Sequence, residues 1–413
     1  MPTPHATSAP GLPGWWKTLG RSFRHRDYRL FFTGQFISLV GTWMQSVAQS
    51  WLVYRLTGSS LDLGLVGFAG QFPVFVLGLF GGILADRRDK RSVLMLTQAA
   101  SLVQAALMAW LTFAGHVQVW QVMCLAALLG VVNAVDIPTR QSLVVELVGK
   151  EDLHNAIALN SSMFNLARIV GPTLAGIVLA MVGEAWCFSL NAVSYLAVIL
   201  CLWRMGGGRR SAERPAGSVL QHLREAVAYA WTTRQVRTVL MLLAVASLVG
   251  MSYVVLMPVF AGQVLGSGPG GLGILMSCAG CGSLAGALLL ASRREGGGAG
   301  RYAYYGVLCF GVSLALFAQS RLFWLSALLL LPTGFGMIVS MASANTMLQM
   351  IAPDHLRGRV MALYSMMFMG MAPFGALMAG SLAHAVGPQA TVTAGGAALV
   401  LVLGLAGRSL RTM

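Results

Sequence analysis

The sequence predicts an all-α membrane protein of twelve transmembrane helices in two six-helix bundles. Three observations carry this prediction. The 413 residues are 56% hydrophobic and only 10% charged, with a mean hydropathy of +0.72, whereas a soluble domain carries about 25% charged residues. Apolar runs long enough to cross a hydrocarbon layer about 30 Å thick recur twelve times. The basic residues gather in alternate intervals between those runs. So little charge cannot cover a water-facing surface, which excludes secreted, disordered and nucleic-acid-binding classes. The net charge of +15 reads instead as an orientation signal.

Residues 1–27 form a polar tail without the charged-then-apolar order of a signal peptide. Trp15, Trp16 and Lys17 are suited to the membrane surface. Runs at 28–54, 61–84, 92–114, 118–139, 155–182 and 185–204 make the first bundle, 28–204. The interval 205–236 is a cytoplasmic linker, flexible in its first half. Its second half, VLQHLREAVAYAW, has helical periodicity with Arg224 on the polar side, as in helices lying on a membrane. Runs at 237–262, 269–292, 302–319, 322–349, 359–383 and 389–407 make the second bundle, 237–407, before a short tail, 408–413.

With both termini in the cytoplasm, 25 of the 28 Lys and Arg residues lie on that side. Arg55 and Arg321 fall outside, and Arg168 falls within a span. Trp51, Trp110, Trp120, Trp186 and Trp324 sit at the outer ends, where interfacial aromatics belong. A multi-pass protein of the inner, cytoplasmic membrane follows. The six cysteines lie in apolar stretches and read as small packing residues, including the Cys278/Cys281 pair. The seven histidines sit at termini, loops and span ends. Neither a metal cluster, a buried acid pair nor a phosphate-binding loop is recognisable, so no cofactor, no metal and no enzyme activity is expected.

The halves echo each other. Ala85-Asp86-Arg87-Arg88 is matched by Ala291-Ser292-Arg293-Arg294, and Gly176 and Gly183 by Gly380 and Gly387. Duplication of a six-helix unit gives both copies the same orientation and places a site between them.

Gly82-Ile83-Leu84-Ala85-Asp86-Arg87-Arg88-Asp89-Lys90-Arg91 resembles the loop signature of the major facilitator superfamily, with Asp89 where that signature has Gly. Ala167-Arg168-Ile169-Val170-Gly171-Pro172-Thr173-Leu174-Ala175-Gly176 resembles the fifth-span signature of its antiporters, with alanine at two glycine positions. The stretches Phe23–Arg29, Gly41–Gln45 and Asp136–Arg140 are similar to the exporter branch that contains the enterobactin exporter and macrolide efflux proteins. The resemblance implies alternating-access export of a small amphipathic molecule (a drug, an antibiotic or a siderophore-like metabolite), with protons as the coupling ion in antiport. It implies a monomer whose partners are the small-molecule substrate and the lipid bilayer, with no nucleic acid. A lipid or lysolipid flippase is the alternative.

Candidate site residues follow. The resemblance gives the loop of Gly82, Asp86, Arg87, Lys90 and Arg91 a gating role, with Asp86 facing the helix start near Arg357-Gly358-Arg359. The other reading is a solvated, orientation-setting turn. Pro172 lacks an N–H, so Gly171, Pro172 and Gly176 mark a helix break, either a fixed kink or a bend used in rocking. Arg168, near the middle of the fifth span, costs at least ~2.5 kcal/mol there. It either binds an anionic substrate, pairs with a carboxylate, or hydrogen-bonds groups such as Asn165 and Asn133.

In the first span Gln35, Ser38, Thr42, Gln45 and Gln49 follow steps of three and four and share one face. The face is read as cavity wall in preference to interhelical hydrogen bonding, with Trp43 available for stacking. Ten of the 23 methionines fall between Met337 and Met378. Met366 and Met369 are read as part of a deformable apolar wall. Asp136 and Asp62 are the candidates for proton coupling, and Asp136 has Arg140 one turn away as an ion-pair partner.

Overall fold

The computed structural model describes residues 20–206, 219–250, 253–292 and 298–411. Trp15, Trp16, Lys17 and the first half of the linker lie outside the described residues, as do the side chains of Asp86 and Arg224.

The first bundle comprises α1 (Arg26–Thr57), α2 (Ser60–Arg87), α3 (Lys90–Phe113), α4 (Val119–Gly149), α5 (Glu151–Val182) and α6 (Glu184–Arg204). A linker helix, α7 (Val219–Thr232), precedes the second bundle. That bundle comprises α8 (Arg234–Val264), α9 (Gly268–Ala291), α10 (Ala299–Gln319) and α11 (Phe323–Ile351). It ends with α12, in two segments (Asp354–Gly370 and Ala372–Val386), and α13 (Pro388–Arg411). Among the described residues, eleven helices are long and apolar enough to cross a membrane. The remaining pass, α1, falls short because its polar stripe dilutes its hydropathy.

Local chemistry sets the turns. Ser59 caps α2 by accepting from the Asp62 amide at 3.2 Å. Asp89 caps α3, its carboxylate accepting from the Ser92 amide at 2.9 Å and the Ser92 hydroxyl at 2.6 Å. This is how the loop signature turns without its usual glycine: an N-cap side chain replaces a flexible backbone. The sequence leaves 140–154 as a connection, but both flanking helices extend through it. The chain reverses at Gly149, whose φ of 70° is open to glycine. Gly183 and Gly387, the repeated pair, end α5 and α12 at φ 88° and 90°, so the sequence echo is a conformational one.

The bundles meet along two seams built from backbone contacts. A Cβ on Gly64 of α2 would lie 2.8 Å from the Ala376 oxygen and 2.9 Å from Gly380 Cα of α12. A Cβ on Gly273 of α9 would lie 2.6 Å from the Pro172 oxygen and 2.7 Å from Gly176 Cα of α5. The other repeated glycines, Gly176 and Gly380, thus occupy equivalent places, one in each seam. Phe374 of α12 adds an aromatic seal, its ring 6.0, 6.3 and 5.8 Å from Phe68, Phe72 and Phe75.

Both seams lie near the ends of α2, α5, α9 and α12 that are remote from the chain termini and α7. Toward the terminal face, Gly82 and Gly358 look onto open space, and Ile83 and Leu84 are exposed. Among the described residues, the close backbone approaches between the bundles thus lie on the side remote from the termini.

At the terminal face, the turn Arg21–Arg24 docks on the α4–α5 corner. Asp152 receives Arg21 Nε at 2.8 Å, Arg24 Nη2 at 2.8 Å and His25 Nε2 at 2.9 Å. In the second bundle Arg359 of α12 pairs with Glu225 of α7.

Candidate functional site

The polar stripe of α1 turns into the first bundle. Gln45, 2% exposed, donates to Gln104 Oε1 of α3 at 3.0 Å and accepts from Asn191 Nδ2 of α6 at 2.7 Å. Gln104 continues to the Leu125 carbonyl of α4 at 3.2 Å, and Thr42 meets the Tyr195 hydroxyl at 3.4 Å. Gln35 and Ser38 are also buried, and Gln49 is partly buried. At Gln45 and Thr42 the stripe makes interhelical hydrogen bonds, whereas Gln35 and Ser38 are buried on the same face. The physical reason is that α3 and α6 bring amides to the same depth, so each buried amide satisfies another. Gln104, Asn191 and Tyr195 are the partners that pattern reading missed.

Trp43 points elsewhere, toward α5. Its ring stands edge-on to Phe164 at 5.7 Å and lies 5.8 Å from the Arg168 guanidinium carbon. A Cβ on Gly171 would come within 2.4 Å of Trp43 Cβ. Gly171 is thus a close-approach residue between α1 and α5. Between Val119 and Val182 the non-helical backbone lies at Gly149, so α5 stays helical through Gly171 and Pro172. Pro172 leaves one rung of the hydrogen-bond ladder open inside this continuous helix, with α1 and α9 packed closely beside it.

Arg168 sits where all these elements converge. Its Nη2 approaches Met337 Sδ of α11 at 3.9 Å, a weak acceptor. On the α9 side, a Cβ on Gly280 would lie 3.1 Å from the Arg168 oxygen. Asn165 donates to the Ser161 oxygen at 2.9 Å, not to the guanidinium. No ion pair to Arg168 exists among the described residues. Ser161, Asn165 and Arg168 follow steps of four and three, so one polar face of α5 runs from the terminal side up to the arginine. Just beyond, Thr173 and Ser277 join α5 to α9, Oγ1 to Oγ at 2.8 Å.

Tyr253 of α8 completes this level. It is 2% exposed, its ring packs 6.3 Å from Phe310, and its hydroxyl has no hydrogen-bond partner among the described residues. Counted from the terminal-face ends of α8 at Arg234 and α5 at Glu151, Tyr253 and Arg168 stand at similar depths. Nothing in the sequence marked this tyrosine, because a lone Tyr in an apolar run is ordinary packing.

Of the methionines, buried Met337 reaches the arginine, whereas Met366 and Met369 are exposed on α12. Asp136 is buried and fully engaged. It accepts from Thr97 Oγ1 and Gln98 Nε2, both at 2.8 Å, and pairs with Arg140 Nη2 at 3.1 Å. Asp62 remains in the first turn of α2 on the opposite face. In the signature loop, Lys90 is buried against Glu146 of α4 and Arg91 donates to the Trp203 oxygen at 2.7 Å. Arg87 is exposed. On the other bundle, Arg357 pairs with Asp354 at 2.6 Å.

Comparison with known proteins follows the same lines. Residues 20–411 match the family described as transmembrane secretion effector, of the MFS class. The staphyloferrin A transporter of Staphylococcus aureus is 25% identical over 85% of this chain and 88% of its own length. The multidrug efflux pump Tap of Mycolicibacterium fortuitum is 28% identical over 86% of this chain and 88% of its own. A bacterial homologue of the human lysosomal transporter Spinster, crystallised inward-facing and unoccupied, superposes with a TM-score of 0.72 at 13% identity. That match covers 94% of this chain and 97% of the other.

Proposed function

Because this chain belongs to the transmembrane secretion effector family of the major facilitator superfamily, we propose that it exports a small amphipathic molecule by alternating access, driven by proton antiport. It is a transporter and not an enzyme. The observation that carries the reading is the pair of backbone seams joining the bundles beyond Arg168, which supports a cleft open to the terminal face. With 25 of 28 basic residues assigned to the terminal side, that face is cytoplasmic, the membrane is the bacterial inner membrane and the cleft is inward-open. Substrate enters from the cytoplasm. The glycine seams then part while the terminal ends of α2, α5, α9 and α12 close beneath it.

Asp136 is the coupling carboxylate in this reading. A proton on it cancels its attraction for Arg140, so protonation and a change in the α4 ion pair occur together. The relatives whose names refer to drug efflux and siderophore transport support a substrate of drug, antibiotic or siderophore-like size. They lend no support to a lipid or lysolipid flippase.

The test is efflux from cells stripped of their own pumps, across a chemically diverse panel, with and without a protonophore. At least one compound is expected to accumulate less when the protein is present, and the difference should vanish with the protonophore. Equal accumulation of every compound would sink the export reading. A difference that survives the protonophore would remove proton coupling alone.

A further inference from the structure

We infer that Arg168, Tyr253 and Trp43 form an acceptor for an aromatic substrate that carries an anionic group, a carboxylate in the simplest case. The inference rests on the export reading and names the chemistry of what is exported.

The first argument is the unmatched charge. A guanidinium has five N–H donors and no acceptor, and the one side-chain hydrogen bond of Arg168 goes to a thioether at 3.9 Å. Three other cations of the helices are each answered by a carboxylate: Lys90 by Glu146, Arg140 by Asp136, Arg55 by Glu184 at 2.6 Å. Arg168 has no carboxylate among the described residues, yet it is only partly buried. Charges at this depth persist when they face a wet cavity or a ligand.

The second, independent argument is Tyr253. A hydroxyl on a side chain that is 2% exposed normally finds a partner, and this one has none among the described residues. It stands on the opposite bundle from Arg168. At this depth the guanidinium supplies a fork of N–H donors and the Tyr253 hydroxyl adds one further O–H, a donor-rich set. Such a set selects an acceptor-rich, negatively charged group, and the planar fork suits a carboxylate held by two parallel bonds. A cationic compound meets repulsion at the same place.

The third argument concerns the body of the ligand. The Trp43 indole, 5.8 Å from the guanidinium carbon, and the Met337 thioether flank the donors with polarisable apolar surface. Trp43 and Arg168 belong to the first bundle, Met337 and Tyr253 to the second. A bound ligand therefore touches both moving parts, as a transported one must.

The test uses the full-length protein in pump-deficient cells or inverted vesicles, with aromatic carboxylic acids each paired with its primary amide, dansylglycine and dansylglycinamide among them. The acids are expected to be exported with at least about tenfold greater efficiency than their amides, the scale of one charge-assisted hydrogen bond. Arg168→Gln should erase the preference, Arg168→Lys should retain part of it, and Tyr253→Phe should weaken acid export by about three- to tenfold. Solubilised variants are checked for a wild-type melting profile, and Tyr253→Phe carries the test if Arg168→Gln fails to fold. Amides or cationic dyes exported as well as acids, or an acid preference that survives Arg168→Gln, overturn the inference and leave export standing. Export of nothing in either series, while a compound of the diverse panel is exported, overturns the inference alone; export of no panel compound removes the export reading, and this inference with it.

Discussion

Asp136 and Arg168 illustrate two ways of keeping a charge within a membrane. Asp136 has three donors on it, from Thr97, Gln98 and Arg140. Taking up a proton means giving up at least the attraction to Arg140, which is the property a coupling residue needs. Asp136→Asn keeps the shape and removes the titration. Substrate-dependent pH change in proteoliposomes is expected to disappear in that variant, while equilibrium substrate exchange continues. Undiminished proton movement would assign Asp136 to structure alone. Arg168 was legible in the sequence because a charge in an apolar run is conspicuous. Tyr253 was not, since its meaning depends on the absence of a partner, which only the tertiary arrangement reveals. The first-span glutamines show the intermediate case. Their common face could be read from spacing, but what that face meets depends on Gln104 and Asn191, in other helices.

Among the elements, the seams matter most. Small residues let α5 approach α9 and α2 approach α12 until backbone meets backbone, and backbone atoms cannot move aside as a side chain can. Gly273→Val places methyl groups against the Pro172 oxygen and Gly176. Overpacking of this kind costs about 1–3 kcal/mol, enough to shift a two-state balance by about five- to a hundredfold. The variant is expected to favour the state in which this seam is parted. In a background without native cysteines, Ser277→Cys should then react faster with an impermeant maleimide applied from outside. An unchanged rate would mean that the α5–α9 seam does not open. The span boundaries were largely legible from hydropathy. The extension of α4 and α5 through 140–154 was not, because those residues are polar enough to resemble a loop while remaining helical. The glycines of the fifth-span signature suggested a break, yet their use here is to bring α1, α5 and α9 together.

At the scale of the whole molecule, each bundle is fastened at its terminal face: the first by the Arg21–Arg24 turn on Asp152, the second by α7 on Arg359. These contacts lie within a bundle, so rocking can leave them intact. The duplicated architecture was legible because the glycine echoes fall at matched positions. Which face the cleft opens on was not, since both conformations of a rocking transporter share one sequence.

The inward-turned stripe of α1 also bears on biogenesis. α1 leaves the ribosome before α3 and α6, and among the described residues it is a pass more polar than the eleven helices that are apolar enough to cross on their own. Its amides find partners only when α3 and α6 have been synthesised, so its stable residence in lipid depends on segments not yet made. A glycosylation reporter placed after α1 alone is expected to give incomplete insertion, and the same reporter on a chain extended through α6 complete insertion. Gln45→Leu should raise the former. Full insertion of α1 by itself would disprove the dependence. The side chains that hold the first bundle together also delay its first helix, so that membrane integration and folding become a single event.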